Sequence, residues 1–193
     1  MKKLHLPVVL VVIYFIASAF TSVNEVYKID TAASELKWTG YHLAKSYEHW
    51  GNVSIKSGTL ELNEDKIIGG EFVIDMTTIT NGDIEEEKDN TKLVNHLKSD
   101  DFFGVSKYPE ATLKIKSATK NGEAFNITAD ITIRNITKEI SFLASRNDSE
   151  NQIVFIASFN VERTAHEVMY GWKLENAVLS GEFKMDVKIV AKK

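Results

Sequence analysis

Cysteine is absent from the 193 residues. That excludes disulfides, thiolate nucleophiles and zinc–thiolate sites, and it removes the usual lipid attachment point of a bacterial lipoprotein. Proline occurs only twice; Pro109 sits just before an apparent strand, where its missing N–H does least harm. No Lys/Arg run gathers into a basic face, and the net charge is -4. Both observations argue against a nucleic-acid partner. No Gly-x-Ser-x-Gly elbow, Walker loop or paired acid/base motif is present. Nor is there an internal repeat, low-complexity tract or interdomain linker. The length suits one domain of moderate size.

The N-terminus reads as an export signal spanning 1–19. Met1-Lys2-Lys3 is a short basic region, Leu6 to Ile16 is apolar, and Ala17-Ser18-Ala19 is a small-x-small cleavage site. The apolar stretch is shorter than the ~20 residues a spanning helix needs. The expectation is a mature domain, 20–193, starting near Phe20 and keeping no stable membrane span. It would work in the periplasm or be secreted from a bacterium. ATP and NAD pools are missing there, which counts against nucleotide enzymes.

What the mature chain does have is alternation. In Phe125–Arg134, Phe125, Ile127, Ala129, Ile131 and Ile133 point one way, and Asn126, Thr128, Asp130, Thr132 and Arg134 the other. Such a pattern is a strand with one dry and one wet face. Asn121-Gly122 joins it to Ala111–Ser117 as a hairpin. Leu36 and Trp38, then Phe72, Ile74 and Met76, mark dry faces of earlier strands. Glu139–Ala144, Gln152–Val161 and a long last strand from Ala177 to Ile189 follow. That last strand turns Leu179, Gly181, Phe183, Met185, Val187 and Ile189 inward. Tyr41–Gly51 has no clear period and reads as an irregular strand or a loop at a barrel mouth. Thr91–Leu97 reads as one short helix, with Leu93, Val94 and Leu97 at helical spacing and Thr91 as its cap.

Many antiparallel strands with a single dry face make either a sandwich or a barrel. Strand length favours the barrel, because closure removes exposed edges. The dry faces carry Phe72, Met76, Phe125, Phe142, Phe155, Phe159, Phe183 and Met185 and almost no charge. An interior of this kind suits an apolar guest held mainly by burial, at ~0.8 kcal/mol per CH2. Alternation alone leaves a filled interior equally open.

Five stretches together resemble the YceI-like proteins, periplasmic lipocalin-like barrels that bind isoprenoid lipids. They are Tyr27–Asp30 with Leu36–Trp38, Gly70–Ile79, Leu97–Phe103 with Lys107–Pro109, Asp130–Ile140, and Phe159–Thr164. Their order and spacing carry the resemblance. It implies an all-β fold: an extended eight-stranded antiparallel lipocalin-like barrel with one short helix near the opening. It also implies a polyisoprenoid or quinone-like lipid in the interior and no other cofactor. The pocket side chains would be Trp38, Phe72, Ile74, Met76, Phe102, Phe125, Ile127, Ile131, Phe142, Phe155, Phe159, Phe183 and Met185. Branched methyls would pack against Phe and Met by dispersion. The segment 165–176 departs from the family pattern, which puts the ligand's identity in doubt more than the fold.

Polar candidates are few. Arg163, at a strand end in the shared motif, is read either as a headgroup contact or as a structural partner of Glu162, Asp75 or a backbone carbonyl, and strand-end arginines are commonly exposed. His42, His49, His96 and His166 lack metal-ligand spacing. Glu85–Glu87 with Asp83 and Asp89 lack the glycine and alternation of a calcium loop and read as solvated. The sequons at Asn52, Asn126, Asn135 and Asn147 read as coincidental in a bacterial chain. Three functions stay open: a non-catalytic carrier of an apolar lipid, a lipid cyclase or isomerase using the same cavity, and a solid-cored stress or interaction protein. The last requires an exposed apolar patch, with Phe102-Phe103 and Tyr47–Trp50 the stretches concerned. A homodimer is also open.

Overall fold

The structure, a computed structural model, describes residues 24–42, 47–149, 152–169 and 179–193. The export signal, Ala177 and most of 165–176 lie outside the described residues. Among the described residues no helix is long and apolar enough to cross a membrane.

Ten strand segments form one antiparallel sheet: β1 (Asn24–Ile29), β2 (Glu35–His42), β3 (Glu48–Asn52), β4 (Ser54–Asn63), β5 (Lys66–Asp75), β6 (Glu110–Asn121), β7 (Ala124–Ile133), β8 (Ile136–Ser149), β9 (Gln152–Glu162) and β10 (Leu179–Lys192). β1 and β2 share the same edge of β10. β1 meets it at Ala191 and Lys192, and β2 runs along it from Lys188 to Leu179. They act as one strand, bent where Asp30 accepts from the N–H groups of Ala32 and Ala33 at 3.1 Å each. β3 and β4 are likewise one strand interrupted at Val53, pairing β2 and β1 in turn. The segments therefore make eight strands, and the β1–β10 pairing closes them into a barrel. Among the described residues closure pairs the strand edges except the outer edge of β3, which the chain after β5 covers.

The alternation expected for β7 is observed: Phe125, Ile127, Ala129, Ile131 and Ile133 are all buried. Its turns differ in detail from expectation. Asn121 still pairs with Ala124, so the two-residue turn is Gly122-Glu123. Gly122 supplies the positive φ (63°) that a glycine-first hairpin turn needs. Arg134 is a turn residue and not part of the strand. With Asn135 it takes left-handed angles (φ 52° and 60°), as a two-residue primed turn requires. Of the segment 41–51, irregular by sequence, the described ends belong to two paired strands: β2 and β3 match Lys37 with Asn52 through Tyr41 with Glu48.

The helix α1 (Glu87–Lys98) begins four residues before the expected Thr91, and Glu86 precedes it without a side-chain cap. Its first turn carries Glu87 and Asp89 and its last carries His96 and Lys98, so its ends suit the helix dipole. Glu87 and Asp89 of the acidic run thus lie in the first helical turn, while Glu85 and Glu86 are exposed ahead of it. After the helix, Arg134 Nη1 donates to the Phe102 carbonyl at 2.5 Å, and its guanidinium lies 5.7 Å from the Tyr108 ring centre. The β7–β8 turn therefore holds the helical segment against the barrel end.

Between β5 and the helix the chain lies flat on the outer edge of β3. Thr80 and Gly82 donate to the carbonyls of Asn52 and Trp50 at 2.9 and 2.8 Å. Trp38 Nε1 donates to the Thr80 carbonyl at 3.0 Å. The approach is too close for a side chain: a Cβ at Gly51 would sit 1.8 Å from the Thr80 oxygen. Gly51→Ala is expected to cost about 3 kcal/mol, the upper range for forced overpacking, as a lower urea midpoint with the transition slope retained.

Candidate functional site

One end of the barrel is packed shut. Leu60, Leu62, Ile67, Phe125 and Ile153 are buried there, with the Phe125 and Phe155 rings edge to face at 6.4 Å. Outside this plug Arg146 grips Asp148 through two hydrogen bonds (2.7 and 2.8 Å) and donates to the Asp65 carbonyl.

Above the plug the barrel is hollow. A cavity of about 350 Å³ runs toward the helical end. All the expected pocket side chains line it except Phe125, which belongs to the plug beneath. Met76 does so from a single 3-10 turn (Met76–Thr78) beyond the end of β5 and not from a strand. The hollow has a steric cause. Ala111, Ala144 and Ala157 face it, and Ala144 pairs directly with Ala157 across β8 and β9. Three methyl groups leave volume that a layer of Leu or Phe would fill. Large neighbours keep residual exposure because they border space: Phe142, Phe159, Phe183, Met185, Val187 and Ile189 are only half buried while packing on the core. Phe142 and Phe159 stack at 4.3 Å and 18°. Phe102 and Phe103 are not an exposed patch: they meet at 5.0 Å, and both turn to the cavity. Sequence inspection missed the alanines and Leu93 and Leu97 of α1. Alternation places all three: Ala157 lies between the inward Phe155 and Phe159 of β9, Ala144 follows Phe142 on β8, and Ala111 shares its face with Leu113 on β6.

The mouth is more polar than its alternation suggested. The pairing of β10 with β2 shifts between Leu179 and Phe183. That bulge breaks the expected inward row: Gly181 does not line the cavity, whereas Ser180 and Glu182 do. Arg163 is buried and not exposed (4%). Its guanidinium donates to the carbonyls of Ser180 (2.7 Å), Val168 (2.8 Å) and Leu179 (3.5 Å). Arg163 thus ties the turn after β9 to the start of β10, and burial lowers its pKa from the ordinary guanidinium value. His42, Tyr47 and His49 form an edge-to-face series at 5.4 and 4.7 Å. His49 also contacts Asp83, 2.7 Å from Nδ1. Burial pushes the Asp83 carboxyl up, but hydrogen bonds from Trp50 N–H, His49 and Asn81 together hold it below the usual value. Among the described residues no three His, Asp or Glu side chains are grouped to hold a metal ion.

A closed antiparallel barrel, plugged at one end and hollow with an apolar lining at the other, is of the lipocalin type. Comparison with known proteins agrees. The YceI-like domain matches residues 27–191, and the chain belongs to that family. It is 29% identical over 129 residues to protein YceI of Escherichia coli O6:H1, covering 66% of this chain and 64% of that protein. The match thus spans just under two thirds of that relative. Among solved structures, Burkholderia cenocepacia BcnA superposes with a TM-score of 0.71 at 17% identity, covering 85% of this chain and 99% of that one. A polyisoprenoid-binding domain from Saccharophagus degradans, implicated in plant cell wall breakdown, superposes at 0.65 with 13% identity, covering 86% and 97%.

His166, beside Arg163, is 1% exposed, and its Nδ1 donates to the Ile136 carbonyl at 2.9 Å. Burial lowers its pKa more than that hydrogen bond restores it. The unfolded chain therefore takes up this proton at higher pH than the folded one. Its contribution to stability is complete above about pH 6.5 and is lost as the pH falls toward the lower folded value. Denaturant unfolding across this range is expected to show stability dropping with acidity, and His166→Gln should flatten that drop. Arg163→Met should cost about 3 kcal/mol by stranding buried carbonyls, seen in the same unfolding curves.

Proposed function

We propose that the protein is a non-catalytic carrier or reservoir, working in the periplasm or outside the cell, that shelters an isoprenoid or similar long apolar amphiphile in its barrel. The observation that carries this reading is the blind cavity, lined by Phe, Met, Leu, Ile and Ala side chains with the polar groups confined to the mouth. A hydrocarbon chain needs no hydrogen-bond partner, and each buried CH2 contributes ~0.8 kcal/mol. The similarity to a polyisoprenoid-binding domain supports the same ligand class.

The lipid-enzyme reading asks for an ionisable group poised for proton transfer inside the cavity. Arg163, the buried ionisable side chain of the lining, directs N–H groups at backbone carbonyls and does not exchange a proton near neutral pH; Tyr41, His42, His49, His96 and Glu182 also line the cavity and are less buried. The solid-core reading conflicts with the hollow itself.

Organic extraction or native mass spectrometry of the purified protein should release a long apolar molecule; a protein that is empty and takes up no apolar probe would contradict the reading. Ala157→Phe directs a ring into open space. It should leave thermal stability unchanged or higher while weakening uptake of an apolar fluorescent probe by more than about tenfold, the loss of a few buried CH2 groups.

A further inference from the structure

We propose that His49 and Asp83 form a head-group site at the mouth, specific for an uncharged amphiphile whose head is a hydroxyl. The inference rests on the carrier reading above and adds the chemistry of the ligand's polar end.

His49 lines the cavity from β3, and its side chain is 21% exposed. Asp83 is fixed from several sides. One carboxylate oxygen accepts from Trp50 N–H at 2.9 Å and from the Asn81 amide at 2.6 Å. The other lies 2.7 Å from His49 Nδ1. A carboxylate can only accept, so Nδ1 carries the hydrogen. In the neutral ring Nε2 then holds a lone pair. Among the described residues Nε2 meets no hydrogen-bonding group, and it is not among the buried unsatisfied atoms. The mouth thus presents a directed acceptor at the rim of an apolar hole.

An acceptor selects a head that donates. A hydroxyl does so, whereas an ether or a fully ionised phosphate cannot. Charge points the same way. The Asp83 carboxylate stands behind His49, and Glu182 lines the mouth. The Arg163 guanidinium, also at the lining, is turned to the carbonyls of Ser180 and Val168. The local build is costly for a mere surface pair: Gly82 must lack a side chain because its Cβ would lie 2.4 Å from the Trp50 ring. That close seating of 80–83 is what brings Asp83 under His49.

The test titrates the delipidated full chain with geranylgeraniol, its methyl ether and its phosphate monoester. The wild type should bind the alcohol roughly three- to tenfold tighter than the ether, the worth of one net hydrogen bond, and the phosphate no tighter than the ether. His49→Phe should make alcohol and ether equal. D83N keeps an acceptor for Trp50 N–H but offers an amide N–H to Nδ1. The ring hydrogen then moves to Nε2, and the ether should gain on the alcohol. If His49→Phe fails to fold, D83N decides alone. Equal binding of alcohol and ether by the wild type, or a preference unchanged by D83N, overturns the head-group site while leaving the carrier reading intact. A phosphate that binds tighter than the alcohol overturns the uncharged head. Failure of all three to bind overturns the carrier reading, and this site with it.

Discussion

Barrel closure sets a volume that the inward side chains must fill or leave empty. Eight strands fix the circumference, and the alternation of each strand decides what faces the axis. Toward one end Leu60, Leu62, Ile67, Phe125 and Ile153 fill the lumen. Higher up, Ala111, Ala144 and Ala157 do not. The hollow is the shortfall between a circumference set by hydrogen bonding and side chains too short to span it. Every functional conclusion depends on that mismatch.

The polar groups are placed by interruptions of the same regularity. A bulge in β10 swings Ser180 and Glu182 to the mouth. The strap at 80–83 covers the edge of β3 and carries Asp83 to His49. A 3-10 turn after β9 buries Arg163 and His166 side by side. Regular strands supply the apolar lining, and departures from regularity supply the chemistry at its rim.

The sequence was most legible where one local rule sufficed. Period-two alternation assigned the inward faces of β2, β5, β7 and β9 because burial on one face leaves no freedom of register. The order of the family-like stretches pointed to the barrel that closes here. Legibility failed where long-range contact decides. Thr91 looked like a cap because it precedes an apolar spacing, yet the helix starts at Glu87, where its acids suit the dipole. Arg134 continued an alternating row but turns the chain, since left-handed angles at two adjacent residues are imposed by the hairpin. Arg163 was expected near the surface, and only the fold brings the carbonyls of Ser180 and Val168 around it. The His49–Asp83 pair spans residues far apart in the chain, and no local spacing announces it.

The central claim is that the lumen stays open in front of the Phe142–Phe159 stack and the neighbouring Ala144–Ala157 pair of β8 and β9. A crystal of the delipidated protein under xenon pressure tests this directly. The account predicts xenon density within the lumen, bordered by those side chains and absent from the plug around Leu62 and Phe125. Inward side chains touching across the axis at that level, with no xenon bound, would contradict it.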